Sequence, residues 1–314
     1  MNMLGKKLKL IVVLGPTASG KSDLAIGLAK KFNGEIISAD SRQVYRGMDI
    51  GTGKVPRDKK LTKFDFVSFS EYLYRGIPHY LLGVASPKRR FTVAQYKKLA
   101  QKAIKNILAK GKIPIICGGT GFYIDALLGN ITISEVKPDT KMRAKLEKIA
   151  TNKLYKLLQK LDSRRAKNID RFNRRRLIRA LEIIYKTGKP IPNIKNNPVY
   201  DVLYIGIKKS PQELKKLIAA RLQKRLKQGM IAEVKKLRRE GVSWKRLDDM
   251  GLEYRWVARF LQNKISREEM LSRLQKEIEH YAKRQMTWFN KNKKILWVGN
   301  KIKAENAVKE FLKD

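Results

Sequence analysis

LKLIVVLGPTASGKSDLAIGLAKKF (residues 8–32) carries the junction on which the fold turns. The run 8–14 is almost wholly apolar, the pattern of a strand buried on both faces of a parallel sheet. After it, SDLAIGLAKKF spaces Leu24, Ile26, Leu28 and Ala29 as a helix does, ending in a loop at Asn33-Gly34. Between strand and helix, Gly15, Pro16, Thr17, Ala18, Ser19, Gly20, Lys21 and Ser22 satisfy G-x-x-x-x-G-K-[ST]. The glycines let backbone N–H groups curl around a phosphate, and the helix start adds its positive end. Lys21 supplies a charge and the Ser22 hydroxyl a magnesium ligand, so Mg2+ is an expected cofactor. This P-loop fixes phosphate binding and is silent on the reaction.

Working outward, EIISAD (35–40) predicts a second strand ending on a carboxylate, and residues 92–110 a helix. KIPIICGG (112–119) predicts another buried strand, with a helix beginning in FYIDALLG. This alternation implies an α/β fold: a P-loop NTPase-like parallel sheet flanked by helices. From about residue 138 the chain becomes charged, helical in spacing and free of strand signals, which predicts a helical insertion domain. The expected organisation is a catalytic core over 1–135, a basic insertion over 136–199, and the rest of the core over 200–314. In that last part strands are predicted at 201–209 and 294–299, and helices at 211–240, 249–262, 266–290 and 304–314.

Charge is the unusual feature of the composition, with 71 Lys and Arg against 28 Asp and Glu, a formal net charge of +43. Either a polyanionic partner or a Lys-rich proteome accounts for that; clustering, as in RRAKNIDRFNRRR (164–176), favours nucleic acid. No apolar span approaches twenty residues, so no membrane partner is expected. One cysteine, Cys117, and two distant histidines, His79 and His280, can build neither a disulfide framework nor a zinc cluster, and a cytoplasmic location is expected.

An ATPase or GTPase would normally add an apolar strand ending in Asp. The strand at 112–119 instead runs into Gly118-Gly119-Thr120-Gly121, with no carboxylate before Asp125, so hydrolysis is poorly supported. Thr120 is a candidate second ligand for the phosphate, or simply a helix cap. Asp40 stands at a strand end, where open parallel sheets place their ligands. Beside bound phosphate it must hold magnesium or act as a base; the structural alternative is capping.

GPTASGKS, ISADSRQVYRGMDIGTGK, GIPHYLLGVASP, GGTGFYIDALL, RRLIRALEIIYKTGKP and KRQMTWF follow one another in this order across nearly the whole chain. Together they closely resemble the tRNA dimethylallyltransferases, also called tRNA isopentenyltransferases. The resemblance implies transfer of a dimethylallyl group from dimethylallyl diphosphate to the exocyclic amine (N6) of the adenosine 3′ of the anticodon. The partners would then be the tRNA anticodon stem-loop and dimethylallyl diphosphate, and the protein a monomer.

Carried over by motif, Asp40 is the general base. Thr120 and the P-loop, with Lys21 central, hold the diphosphate, and Arg221 is assigned to the same anion. Asp40, Ser41, Arg42 and Gln43 meet the tRNA. So do Arg175, Arg176, Leu177, Ile178 and Arg179, the segment Met250 to Arg255 with Tyr254 and Arg255, and the run Lys283 to Asn290 with Lys283, Arg284, Gln285 and Trp288. The chain departs from the family pattern at 170–173 (DRFN), at Leu217 where an arginine is customary, at Glu253 where a glycine is, and at Asn290. Two rivals use part of this chemistry. An adenylate isopentenyltransferase or a P-loop small-molecule kinase would need the P-loop but not the basic insertion. A non-catalytic RNA-binding protein would need the charge but not the phosphate cradle beside Asp40.

Overall fold

A computed structural model describes residues 7–58, 72–131, 133–134, 136–192 and 199–313. Strand β1 (Leu8–Leu14) shows why its sequence is apolar at almost every position. Leu10, Val12 and Leu14 enter the core on one face of the sheet, and Ile11 and Val13 enter a second core on the other. The remaining strands are β2 (Gly34–Ser38), β3 (Tyr72–Tyr74), β4 (Ile77–Tyr80), β5 (Ile113–Gly118), β6 (Tyr200–Ile207) and β7 (Ile295–Val298). They form one seven-stranded sheet in the order β3-β4-β2-β5-β1-β6-β7. Every pairing is parallel except β3 with β4.

The five longer-range strands fall where the sequence predicts them. The β3–β4 hairpin does not, because three and four residues at a sheet edge, one of them Pro78, carry too little alternation to be recognised. β2 also stops earlier than predicted, at Ser38, leaving Asp40 two residues beyond the strand.

Helices cover both faces, as a parallel sheet requires. α1 (Lys21–Lys31) and α13 (Lys301–Lys313) supply Leu24, Leu28, Ala304 and Val308 to one core. α2 (Val93–Ala109), started by a Thr92/Gln95 capping box, and α3 (Gly121–Leu128) enter the other. The region predicted as one helix over 211–240 is two, α8 (Pro211–Lys227) and α9 (Met230–Arg239), because Gly229 adopts φ +97 and turns the chain. α10 (Trp244–Met250), α11 (Leu252–Leu261) and α12 (Arg267–Phe289) follow.

These elements belong to one compact unit, Met1–Gly129 with Pro198–Asp314; Asn130–Asn197 form a second. The second unit contains α4 (Thr140–Leu146), α5 (Thr151–Leu161), α6 (Ser163–Lys167) and α7 (Arg174–Thr187). Its core is Leu146, Leu154, Leu158, Leu177, Ile178 and Leu181. Leu177 and Ile178 are 0% and 5% exposed, which corrects the expectation that they touch tRNA: α7 turns them inward, while Arg175 and Arg176 face solvent.

Glu182 is wholly buried in this small unit and is held from three sides. It accepts from the Asp139 N–H at 2.6 Å, from Arg143 at 2.7 and 2.9 Å, and from Arg179 at 2.5 Å. Arg179 also donates to the Val136 carbonyl at 2.7 Å, so both ends of its guanidinium serve the fold and not the expected tRNA contact. Burial opposes the charge on Glu182, yet Arg143, the Asp139 amide and Arg179 outweigh it and hold the carboxyl at about 2. A depressed folded-state value means the stabilisation is present above the ordinary glutamate value and is lost as pH falls toward 2. Glu182→Ala should destabilise this unit by roughly 3 kcal/mol in urea unfolding, and the difference from the parent should shrink on acidification through the same window. Equal stability at pH 7 would show that the cluster contributes nothing.

Candidate active site

Between β1 and α1 the P-loop closes through Gly20, whose φ of +88 suits a residue without a Cβ, and through Ala18, which takes φ +63 despite having one. α1 begins with no side-chain cap, and the amides of Ala18, Gly20, Lys21 and Ser22 donate to no acceptor among the described residues. Four open N–H groups at a helix start form an anion cradle. Thr17 differs: its N–H donates to Gln285 Oε1 at 2.8 Å, and the Ser19 N–H donates to the Pro16 carbonyl at 3.3 Å.

The cradle opens into a cavity of about 390 Å³ lined by Thr17, Ala18, Gly20, Lys21, Ser22, Asp40, Gln43, Lys54, Cys117, Arg221 and Arg225, among others. Gly15, Pro16 and Ser19 lie behind it, and the buried Ser19 hydroxyl has no partner among the described residues; these three expected phosphate ligands shape the loop rather than face the cavity. Lys21 reaches the Pro16 carbonyl at 3.2 Å. Burial pulls its ammonium below the usual lysine range, offset by Cys117 and Asp40 and reinforced by Arg221 and Arg225. Arg221 is drawn down to about 10, by burial first and Arg225 second. Cations in one polar cavity that repel each other and resist their own charge define a site for a polyanion.

Asp40 lies at the cavity wall. Its Oδ1 accepts from the N–H groups of Arg42 and Gln43 at 2.8 and 3.3 Å, which realises the capping reading. Its second oxygen, Oδ2, has no partner among the described residues, so the same residue can also serve as acceptor for a substrate. Position behind the strand end is set by β5: a Cβ on Gly118 would lie 2.2 Å from the Ala39 carbonyl, so only glycine lets the two chains approach this closely.

Thr120 is not in the cavity wall. Its Oγ1 accepts from the Ser41 N–H at 3.1 Å, and it gives α3 no side-chain cap. In this structure the hydroxyl buttresses the chain beside Asp40. Gln43 does face the cavity, with its amide engaged by Ser38, Thr52 and Gly53. Arg42 donates from Nε to the Met250 carbonyl at 2.8 Å.

Several residues expected on the nucleic-acid surface are instead internal ties. Gln285, 5% exposed, joins the P-loop to the glycine-rich turn, accepting from Thr17 and donating to the Gly119 carbonyl at 2.9 Å. Tyr254 is 1% exposed, and its hydroxyl donates to Glu233 at 2.8 Å. Glu233 also accepts the N–H groups of Asp49, Ile50 and Gly51, and so fixes the loop before Lys54. Trp288 donates to Asp125 at 2.8 Å and covers Gly121. Arg255 pairs with Glu277 at 3.1 Å. Lys283 and Arg284 are exposed, Arg284 lying over the Tyr281 ring. Glu233, Arg225 and the Gln285 tie escape sequence reading because nothing local marks them; each acts through a partner far along the chain.

Among the described residues no helix is long and apolar enough to cross a membrane, and no cluster of three His, Cys, Asp or Glu could hold a metal.

The family profile described as IPP transferase matches residues 43–292, and that described as isopentenyl transferase matches residues 7–77. A tRNA dimethylallyltransferase of Pelotomaculum thermopropionicum is 39% identical over 314 residues, covering 98% of this chain and 94% of that protein. A tRNA dimethylallyltransferase 1 of Syntrophus aciditrophicus is 39% identical over 311 residues, with 97% of each covered. Among solved structures, a tRNA delta(2)-isopentenylpyrophosphate transferase of Staphylococcus epidermidis superposes with a TM-score of 0.66 at 36% identity, covering 98% of this chain and 99% of that one. A eukaryotic dimethylallyltransferase described as acting on tRNA gives 0.72 at 30% identity, covering 90% and 70%.

Proposed function

The chain belongs to the IPP transferase family of tRNA dimethylallyltransferases, and from that premise we propose that its cavity seats the diphosphate of dimethylallyl diphosphate while Asp40 receives the adenosine amine. The activity is transfer of a dimethylallyl group to tRNA. The observation that carries the proposed geometry is the meeting of the open P-loop amides, Lys21 and Arg221 with Asp40 in one cavity.

In the reaction the exocyclic amine of the adenosine 3′ of the anticodon attacks the allylic carbon. The carbon–oxygen bond to diphosphate breaks and its electrons stay on the departing oxygen. The Asp40 carboxylate orients the amine through the oxygen left without a protein partner and takes its proton as the carbon–nitrogen bond forms. Lys21, Arg221 and the loop amides hold the oxygens on which charge grows.

The donor set also fits Mg2+. Ser22 presents a hydroxyl to the cavity beside Cys117, and with no carboxylate cluster in the described residues the ion would rest chiefly on substrate oxygens and water. Bound there, magnesium would supply further charge neutralisation to the diphosphate.

The tRNA is held by exposed cations, Arg175 and Arg176 in one unit and Lys283 and Arg284 in the other. Affinity for tRNA should therefore fall log-linearly with salt, and Arg175→Ala should lower the slope by about one unit or somewhat less. A salt-independent affinity would return the charge of +43 to general composition. The protein acts as a cytoplasmic monomer. Incubation with labelled dimethylallyl diphosphate and either bulk tRNA or AMP tests the whole reading. Label should enter tRNA; label in AMP would favour an adenylate isopentenyltransferase, and label in neither a binding protein.

A further inference from the structure

Two guanidinium groups meet over Gly53. A Cβ on that glycine would lie 2.3 Å from Nη2 of Arg225 and 2.9 Å from Nη2 of Arg221. Both side chains line the cavity that holds Lys21, Ser22 and Asp40. They are held differently. Arg221 has no hydrogen-bonded partner among the described residues. Arg225 is anchored through Nη1, which donates to Glu253 Oε1 at 2.7 Å and to the Gly51 carbonyl at 3.1 Å. The second terminal nitrogen, the one over Gly53, has no acceptor among the described residues.

The Arg225–Glu253 pair is only 11% and 8% exposed. Taking two charges out of water costs several kcal/mol, and a buried ion pair is poor evidence of stabilisation in itself. What such a pair achieves is orientation: a planar fork fixed at one end presents its other end in a single direction. Here that other end lies over Gly53 beside the Arg221 guanidinium, in the lining of the cavity. The loop that supplies Gly51 is itself fixed by Glu233 and Tyr254, so the anchor does not drift.

We propose that Arg225 is a second guanidinium ligand of the diphosphate beside Arg221, and that Glu253 is the positioning residue that aims it. This rests on the reading that the cavity takes the diphosphate. Arg221 approaches as an unanchored cation able to follow the departing group, whereas Arg225 meets it preorganised. Burial first, and repulsion among the three cations after it, draws Lys21 and Arg221 downward, and that repulsion is relieved when a polyanion enters.

The test measures inorganic diphosphate binding by calorimetry, together with KM for dimethylallyl diphosphate and for tRNA. The variants are Arg225→Met, Glu253→Gln, Glu253→Asp and the double variant Arg225→Met/Glu253→Gln, with Lys21→Ala as reference. Arg225→Met should weaken inorganic diphosphate, and raise KM for dimethylallyl diphosphate, about tenfold, with KM for tRNA within about twofold. Glu253→Gln should give a smaller rise of several fold in the same two quantities, and Glu253→Asp should recover part of it.

Because Arg225→Met leaves a buried carboxylate unpaired, the double variant carries the decision if the single one is unstable, and it too should show the tenfold loss. Unchanged diphosphate binding in both, with binding weakened in Lys21→Ala, overturns this proposal and leaves the cavity reading standing. Unchanged binding in Lys21→Ala as well overturns the cavity reading and this proposal with it. A lowered melting temperature with both KM values rising together would make the pair a structural tie, and would also overturn it.

Discussion

Asp40→Asn is expected to bind tRNA within a fewfold of the parent and to transfer the dimethylallyl group roughly 10² to 10⁴ times more slowly. An adenine amine is a weak nucleophile because its lone pair is delocalised into the ring, and in an anticodon loop it is also stacked. The base must be extracted and presented to the allylic carbon, with diphosphate on the far side. Asparagine keeps the shape of Asp40 and can still accept from the Arg42 and Gln43 amides, so the local turn survives. It loses the basicity of the oxygen left for the substrate. The readout is single-turnover transfer at saturating tRNA and dimethylallyl diphosphate, beside direct tRNA binding. A variant that binds tRNA poorly yet reacts at the parental rate once saturated would make Asp40 a binding residue.

Lys21→Ala is expected to cost on the order of a hundredfold or more in turnover. Charge on the diphosphate grows as the allylic carbon–oxygen bond breaks, and Lys21 is the cation inside the P-loop itself, partly buried, with the Pro16 carbonyl as its hydrogen-bonded partner. Its suppressed affinity for a proton marks the energy it regains when an anion arrives. Arg221 and Arg225 remain in the variant, so diphosphate binding weakens without vanishing and the deficit falls mainly on kcat. Turnover equal to the parent would remove the P-loop from the leaving-group site.

What could be read in the sequence is what short-range chemistry writes. GPTASGKS sits between a strand and a helix because the same glycines that turn the chain expose its amides, so spacing alone locates the cradle. β1 and β5 are legible as nearly unbroken apolar runs, since both faces are covered. The helical unit is legible from its charge and the loss of strand signals.

Residues whose roles are fixed by distant partners were not legible. Gln285 lies in the run KRQMTWF and looks like part of a contact surface, yet its partner Thr17 is 268 residues away. Leu177, Ile178 and Tyr254 belong to motifs with exposed arginines, and only the phase of α7 and α11 shows that they point into a core. Thr120 follows the glycine-rich turn as a phosphate ligand might, while the close approach of Gly118 to Ala39 hands its hydroxyl to Ser41. Glu253, which replaces a glycine of the family pattern, reads as a lost feature until Arg225 is seen against it.

The central claim is that the P-loop holds a leaving group and not the terminal phosphate of a nucleotide. Product analysis of one reaction, containing tRNA, dimethylallyl diphosphate and Mg2+ but no ATP, tests it most directly. Diphosphate released and N6-dimethylallyladenosine recovered from digested tRNA should rise together, one to one. A requirement for ATP, or orthophosphate in place of diphosphate, would contradict the account.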